Sequence, residues 1–375
     1  MRKKDYNMFQ FLTIGIFAIL FSFISTGTGK RVRYVSIIPF ILIWYIMSFQ
    51  DCIGMDFSGY LYSFKAIKAG TLPPAGYLEA GSSGDVIEAG WYYLNFLFGK
   101  VFDSFYFVTA FVYFVILYSF KKLFDSINPT WQWLAILFFY LSPMLLYMSA
   151  MRQSFGIALF ILSVLAIEDK KWFKAILLFF LGTTMHSSMI IAAMYYPFLL
   201  LSKIDYKKKK ALTLLIFTGL YISLFVGGTF FKQSAIGAVS AMMDTSDSYM
   251  YYVQEFVDND SIYSLSATAS YVIIFIYSVV AMMNSEGFSK KILLFFIISQ
   301  FMSIFFGNLG SIGRLAQYVA AFSVPAYALI PKYIKNPLFK AGFVIVAVVI
   351  TVYSFLSKLT NEQFIAYLDY HTIFF

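Results

Sequence analysis

Charged residues and cysteine are scarce in this sequence. Only 13% of its 375 residues carry a charge, whereas about a quarter do so in an ordinary soluble domain. This scarcity excludes a water-exposed surface over most of the chain. The single cysteine, Cys52, excludes a disulfide within the chain and gives no information about the redox compartment.

Short motifs that bind nucleotides or metals are also missing. There is no Walker phosphate-binding loop, no Gly-x-Gly-x-x-Gly fingerprint and no Gly-x-Ser-x-Gly elbow. No histidine or cysteine spacing fits a zinc site. We therefore predict no soluble cofactor and no metal site. The net charge of +9 requires no nucleic acid partner, because basic cytoplasmic loops beside anionic lipid account for it.

Hydrophobic residues, by contrast, make up 60% of the chain, and its mean hydropathy is +0.75. Many of them form runs long enough to cross about 30 Å of hydrocarbon as a helix. We place these runs at residues 8–25, 34–49, 104–120, 131–148, 153–167, 173–185, 187–201, 211–230, 267–284, 292–308, 315–330 and 341–357. The sequence thus predicts an all-α polytopic membrane protein with about 12 transmembrane helices, forming a single domain over residues 1–375. Because further runs follow the first, that run is interpreted as a membrane helix and not as a cleaved signal peptide.

Two long polar connections, at residues 50–90 and 231–266, interrupt this pattern. Lysine and arginine favour the cytoplasmic side of a membrane protein and so indicate its orientation. One set of connections carries 18 of the 28 basic residues and five of the 19 acids, and the opposite set carries 10 and 14. The more basic set is therefore cytoplasmic, and both long loops are extracytoplasmic.

The apolar stretch FFLGTTMHSSMIIAAMYY, residues 179–196, contains His186 near its centre. Basic segments on both sides are cytoplasmic by charge, so the chain between them crosses the membrane an even number of times. Its roughly 28 residues are too many for one helix and few for two, which predicts two short helices that meet near His186 at the outer surface. Arg152 and Arg314 each begin an inward-running helix at the same level. We expect these three groups on one face.

Each of these groups also has a purely structural interpretation. A bond to neighbouring backbone explains His186, and snorkelling to lipid headgroups explains Arg152 and Arg314. Their shared depth favours a functional site, because charged groups at the membrane edge are costly. In the first outer loop, Asp56 and Glu88 are ordinary solvated acids unless they lie over the basic cluster. There, a carboxylate is able to orient or deprotonate a hydroxyl.

Three blocks carry a family resemblance. The first is GMDFSGY (54–60), with EAGW (88–91) after it; the second is MRQSFG to HSSMII (151–191), an Arg-Gln helix followed by His-x-Ser; the third is GRLAQY (313–318), with the aromatic tail YLDYHTIFF. Together they resemble the EpsG/Wzy-type family of bacterial polysaccharide polymerases. Gln50 stands where family members often carry arginine, and Ala89 replaces their usual proline.

The resemblance implies a GT-C-like glycosyltransferase of the bacterial cytoplasmic (inner) membrane, with its active site on the outer face. Such an enzyme joins oligosaccharide repeat units carried on a polyprenyl diphosphate, such as undecaprenyl diphosphate, into O-antigen, capsule or exopolysaccharide. Arg152 and Arg314 would then hold the leaving diphosphate. His186 is the first choice for the base, since an imidazole titrates near neutral pH, and Asp56 or Glu88 is the second. The residues expected to position sugar or phosphate are Tyr60, Gln153 and Tyr318.

Other functions stay open at this point. An O-antigen-type ligase would transfer the glycan to a different acceptor. A flippase or carrier usually shows inverted repeats and charges near the bilayer midplane, which this sequence lacks. A membrane acyltransferase would need a cytosolic entrance, whereas His186 is expected outside. The expected partners are the lipid-linked donor and acceptor and membrane lipid, with a chain-length regulator left open.

Overall fold

The computed structural model describes residues 2–27, 34–51, 56–72, 87–127, 130–224, 265–306, 316–360, 370 and 372–374. Helices dominate these ranges, and the strand-like pairing within them is an isolated antiparallel bridge between Gln50 and Thr372. This confirms the prediction of an all-helical chain. The physical reason is that a helix satisfies its own backbone hydrogen bonds, which lipid is unable to do.

The helices are numbered here in chain order. Two segments are 3₁₀ helices, Val35–Ile37 and Ser187–Tyr195. The described α-helices are α1 Arg2–Gly27, α2 Ile38–Ser48, α3 Phe57–Ala69, α4 Ala89–Val101, α5 Tyr106–Ile127, α6 Gln132–Leu141, α7 Pro143–Ser149, α8 Met151–Glu168, α9 Trp172–Met185, α10 Phe198–Leu201, α11 Lys210–Leu224, α12 Leu265–Asn284, α13 Gly287–Phe306, α14 Gln317–Ala320, α15 Ser323–Tyr333 and α16 Pro337–Leu359.

Four stretches of the described chain are long and apolar enough to cross a membrane, namely α5, α8, Gly287–Ile304 within α13, and α16. The pair α6 and α7 makes a fifth if it is one span bent by 46°. Pro143 explains the bend, because proline lacks the N–H that would continue the helical ladder. The chain is thus a multi-pass membrane protein. The total of about 12 crossings and the GT-C-like arrangement remain predictions.

Part of the polar connection at residues 50–90 is helical. It contains α3, a helix that the hydrophobic runs do not predict, and it ends at the start of α4. Phe57 and Phe64 of α3 are buried, with ring centroids 5.5 Å from that of Phe105. Of residues 231–266, all but the last two lie outside the described residues, and those two begin α12.

Contacts divide the chain into two compact units, Met1–Ile190 with Val348–Phe375, and Ile191–Ala347. In the first unit, α1 packs against α2 and α6, α5 packs against α2 and α8, and α8 packs along α9. In the second unit, α12, α13 and α15 pack against one another. The prediction of one domain over the whole chain stays a prediction.

Within the first unit, α1 and α6 approach each other closely at Gly15. A Cβ atom at this position would lie only 2.8 Å from Cζ of Tyr140. The Tyr140 hydroxyl donates a hydrogen bond to the Phe11 carbonyl at 2.5 Å, and the two rings are 4.8 Å apart. A side chain larger than that of glycine at position 15 would force α1 away from α6, the helix that precedes α7 and Arg152 in the chain.

Candidate active site

Glu88 lies directly before α4, with an extended backbone at φ −60° and ψ 142°. The start of α4 touches the end of α9, where Gly90 meets Thr184. A Cβ atom at position 90 would lie 2.7 Å from the Thr184 carbonyl oxygen, closer than real side chains come to a backbone. Glycine therefore lets α4 begin close enough to α9 for Glu88 to reach residues 186 and 187.

His186 marks the break that follows α9. The helix ends at Met185, and His186 is extended, with φ −154° and ψ 116°. The chain continues as the 3₁₀ helix Ser187–Tyr195 and the short α10. The predicted helix end at His186 is thus present, whereas the second short helix is mostly 3₁₀.

The Glu88 carboxylate joins this break to α8. Its Oε1 atom is 2.9 Å from His186 Nδ1, and it also accepts a hydrogen bond of 3.2 Å from the Ser187 backbone N–H. Its Oε2 atom accepts a hydrogen bond of 2.8 Å from Nη1 of Arg152. One carboxylate therefore bridges Arg152 and His186, two side chains that the sequence predicts as site residues.

Arg152 reaches this carboxylate from the first turn of α8. α7 ends at Ser149, and Ala150, with φ −89° and ψ 59°, forms the break between the two helices. The side chains of Arg152 and His186 are each 17% exposed and that of Glu88 is 12% exposed. The three groups are thus largely but not completely shielded from solvent, which strengthens the interactions between their charges.

The electrostatic balance at Glu88 fixes its charge. Burial by itself raises the pKa of the Glu88 carboxyl, but the hydrogen bond with His186 and the charge of Arg152 outweigh it and lower the pKa from 4.5 to about 2. The carboxylate is therefore ionised at neutral pH and accepts hydrogen bonds only. Consequently His186 carries a proton on Nδ1, and its Nε2 atom is the nitrogen that is able to take up a proton.

Tyr60 forms another wall of the site. The guanidinium carbon of Arg152 lies 5.8 Å from the centroid of the Tyr60 ring, and the Trp91 ring packs edge-on against it at 5.6 Å. Burial raises the pKa of the Tyr60 hydroxyl, although the positive charge of Arg152 acts in the opposite direction. The phenol is thus neutral and keeps its proton for donation.

Asp56 and Gln153 are the other predicted site residues of the first unit. Asp56 precedes α3, its carbonyl accepts the Tyr60 N–H at 3.0 Å, and its negative charge contributes to the raised pKa of Tyr60. Gln153 follows Arg152 on α8 and is buried, at 2% exposed. Glu88, His186, Arg152 and Tyr60 therefore form the centre, with Asp56 beside Tyr60.

Two further predicted site residues, Tyr318 and Arg314, lie towards the C-terminus. Tyr318 is completely buried in α14, within the second unit. Arg314 lies outside the described residues. The expected role of each in binding sugar or phosphate stays a prediction. Within the described residues, no group of three or more histidine, cysteine, aspartate or glutamate side chains is arranged to hold a metal ion.

Sequence reasoning missed Ser187, Gly90 and Thr184. Ser187 contributes a backbone N–H, which no residue identity reveals, and Thr184 contributes the backbone against which Gly90 packs. Gly90 did carry a signal. A glycine two residues after a candidate catalytic acid is compatible with a close approach to another backbone.

Comparison with known proteins was made for the whole chain. The model of the EpsG family matches residues 33–370. A search of the curated proteins and a search of the solved structures found no match. The match includes Glu88, Arg152 and His186, and it ends before residues 372–374, which pair with the end of α2.

Proposed function

The chain belongs to the EpsG family, and from this premise we propose that it is a polysaccharide polymerase. It joins oligosaccharide repeat units, carried on a polyprenyl diphosphate, at the outer face of the cytoplasmic membrane. The proposed arrangement of the complete chain is GT-C-like, with its active site built around Glu88. Family membership supports the polymerase role, and the chemistry must come from the site itself.

The observation that carries this proposal is the bridging position of Glu88 between Arg152 and His186. Glycosyl transfer from a lipid diphosphate has two electrostatic requirements. The attacking hydroxyl must lose a proton, and the leaving diphosphate must gain stabilisation for its negative charge. The centre offers a base and a cation for these two tasks, fixed relative to each other by one carboxylate.

His186 is the proposed base. The acceptor sugar hydroxyl attacks the anomeric carbon of the donor, forming the new glycosidic C–O bond, while Nε2 of His186 takes the hydroxyl proton. Glu88 holds the Nδ1 proton and stabilises the imidazolium that results. This arrangement assigns Glu88 the role of a positioning residue, because its lowered pKa makes it a poor proton acceptor.

Arg152 is the proposed ligand of the leaving group. The bond between the anomeric carbon and the diphosphate oxygen breaks, and the oxygen keeps the electron pair. A guanidinium presents a planar fork of donors that matches phosphate oxygens, and in a partly dry site it stabilises the charge strongly. Arg314 is proposed as a second diphosphate ligand, on the resemblance alone.

Neighbouring side chains are proposed to place the substrate. The Tyr60 hydroxyl, kept neutral by burial, donates to a sugar or phosphate oxygen next to Arg152. Gln153 and Tyr318 are further candidates for this role, and Asp56 orients the Tyr60 segment. The energy for transfer comes from the diphosphate linkage, so the reaction as proposed uses no soluble cofactor.

The decisive experiment incubates purified protein, in nanodiscs, with a polyprenyl-diphosphate oligosaccharide of the host's own repeat unit. A ladder of glycans that lengthens by whole repeat units on the lipid supports the polymerase. Transfer of one glycan to a different acceptor, without elongation, would identify a ligase instead. Movement of intact substrate across vesicles, with no new glycosidic bond, would identify a flippase.

The outer-face location requires a separate measurement. In a Cys52→Ser background, single cysteines are introduced at Ser83 and Ser246, with Lys208→Cys as the control on the predicted cytoplasmic side. An impermeant thiol reagent applied to intact cells should label the first two positions and spare the third. The opposite pattern would reverse the proposed orientation of the site.

A further inference from the structure

The C-terminal residues pair with the end of α2, far from them in sequence. Gln50 and Thr372 form an antiparallel bridge, and the Ile373 N–H donates a hydrogen bond of 3.0 Å to the Phe49 carbonyl. The Tyr370 hydroxyl donates at 2.6 Å to the carbonyl of Ile46. Two of these bonds thus take up carbonyl oxygens of the last turn of α2 and of the residue that follows it, which the helix leaves without intrahelical partners.

Side-chain packing holds this tail in place. Tyr370 is completely buried, and its ring lies 5.3 Å from that of Phe11. The Phe374 ring lies 5.2 Å from Phe49 and is stacked on Tyr45 at 6.2 Å. We define residues 370 and 372–374 as the tail clamp. Positions 372–374 lie beyond the residues that the family model matches.

From the tail clamp, a chain of hydrogen bonds leads to the helix break before Arg152. The Gln50 side chain is completely buried, and its Nε2 atom donates to the Tyr113 hydroxyl at 3.4 Å. That hydroxyl donates at 3.1 Å to the Met148 carbonyl in the last turn of α7. Arg152 is four positions after Met148 in the sequence, so the position of this turn influences where the Arg152 side chain starts.

The end of α2, which the tail clamp contacts, is also held by hydrogen bonds from α5. Asp51 follows the bridged Gln50 and accepts a hydrogen bond of 3.3 Å from the Tyr106 hydroxyl. Thr109, one turn further along α5, donates at 2.7 Å to the Ser48 carbonyl. Along the chain, only residues 52–55, which lie outside the described residues, separate this anchored segment from Asp56, and α3 with Tyr60 follows directly. The anchored end of α2 is thus near in sequence to Tyr60, whose ring lies beside the Arg152 guanidinium.

We propose that the tail clamp is a positioning element of the active site, which fixes Arg152 and Tyr60 through the end of α2 and the Gln50–Tyr113–Met148 chain. The inference rests on the proposed polymerase function. It goes beyond that function because it assigns a role in the reaction to residues that touch neither substrate nor Glu88. Misplacement of a reacting group by about 1 Å is able to cost about 100-fold in rate.

A pair of substitutions at one position tests this in the full-length protein. Ile373→Pro removes the N–H that bonds to Phe49, whereas Ile373→Ala keeps it and trims a side chain that is 38% exposed. Ile373→Pro should lower the rate of polymer formation per folded protein by about 10- to 100-fold. Ile373→Ala should match the wild type. Amide hydrogen exchange, which requires no activity, should accelerate at residues 146–152 in the proline variant only.

The possible results separate the two proposals. A wild-type protein that forms no polymer overturns the polymerase, while the exchange measurement still tests the clamp. Wild-type exchange in Ile373→Pro overturns the clamp whatever the activity. Faster exchange with full activity overturns its positioning role. A loss of activity that disappears when rates are expressed per folded protein also overturns that role, because the tail then contributes stability alone. As a second variant, Tyr370→Phe removes the bond to Ile46 and keeps the ring, and it should show a smaller change in the same direction.

Discussion

Two helix breaks in the first unit differ in the charge that stabilises them. At Ser142, between α6 and α7, the ammonium of Lys358 donates hydrogen bonds to the Ser142 carbonyl at 3.1 Å and to its hydroxyl at 3.2 Å. At His186, after α9, the Glu88 carboxylate accepts the Ser187 N–H. A cation thus lies at the carboxyl end of one helix and an anion at the amino end of the other, as helix dipoles favour.

The two breaks also differ in the other contacts of the charged side chain, Lys358 at one break and Glu88 at the other. Among the described residues, the bonds of Lys358 go to neutral groups, and no acidic side chain lies within ion-pair distance of it. Glu88, in contrast, also contacts Arg152 and His186, groups that are able to bind an anion and to transfer a proton. Under the proposed function, the Ser142 break has a structural role, whereas the His186 break takes part in the reaction.

The largest expected effects come from removing the reacting groups at the His186 break. His186→Ala should lower polymer formation by about 10² to 10⁴-fold, and Arg152→Ala by about 10² to 10³-fold, with the protein still folded in the membrane. Arg152→Lys should recover part of the activity, since an ammonium lacks the guanidinium fork. Polymer of normal length and amount from His186→Ala would make His186 a structural residue and move the search for the base to Asp56.

Glu88→Gln should have the next largest effect, a loss of about 10²-fold in rate, because the amide keeps the shape and removes the charge.

The difference in stability between the wild type and the Glu88→Gln variant should depend on pH. The pKa of Glu88 is lowered from 4.5 to about 2, so ionisation stabilises the folded state fully above pH 4.5, and this contribution is lost as the pH falls from there towards 2. Thermal unfolding of variant and wild type should therefore differ by a constant amount at neutral pH and converge in acid. A gap that widens in acid contradicts this assignment.

Gly90→Ala tests the close approach that brings Glu88 to the break. The added Cβ would lie 2.7 Å from the Thr184 carbonyl oxygen, so α4 must shift, and polymer formation should fall by about tenfold or more. Gly59→Ala is the matched control, because nothing lies within 4 Å of the corresponding Cβ in α3. Equal activity of the two variants would show that the approach of α4 to α9 is not needed for the reaction.

Lys358→Met should have the smallest effect on the reaction. It leaves the Ser142 carbonyl without its donor and should lower the free energy of unfolding by about 1–3 kcal/mol. Polymer formation per folded protein should stay unchanged, and Lys358→Arg, which keeps a cationic donor, should recover the stability. A Lys358→Met protein of normal stability but low activity would place catalytic importance at the Ser142 break and remove the distinction between the two breaks.

Sequence reasoning reached much of the candidate site through charge counting. The basic segments around residues 168–174 and 203–210 require an even number of crossings, which led to a break near His186 at the level of Arg152. The break after α9 and the shared contact of Arg152 and His186 with Glu88 agree with that expectation. Glu88 itself entered as a second choice of base, and its contacts with Arg152 and His186 are the reason for proposing a positioning role instead.

The packing of the helices, on the other hand, could hardly be predicted from the sequence. The helix at 57–69 carries Lys65 and Lys68 and too few apolar residues to be recognised as a run, and it is held by burial of Phe57 and Phe64. Pro143 is consistent with the kink at Ser142, but Lys358, which donates a hydrogen bond to the Ser142 carbonyl, lies 216 residues away in sequence. Such partners become visible only when the chain folds.

The sequence by itself determined that this chain is an all-helical membrane protein of the EpsG type, because hydrophobic runs, charge bias and family motifs are properties of local composition. Only the tertiary structure decided which carboxylate contacts both Arg152 and His186, and that the tail pairs with the end of α2. Such contacts depend on distances of about 3 Å between residues that are 64 to more than 300 positions apart. A hydrogen bond is lost within an ångström of displacement, and that precision comes from packing many helices at once.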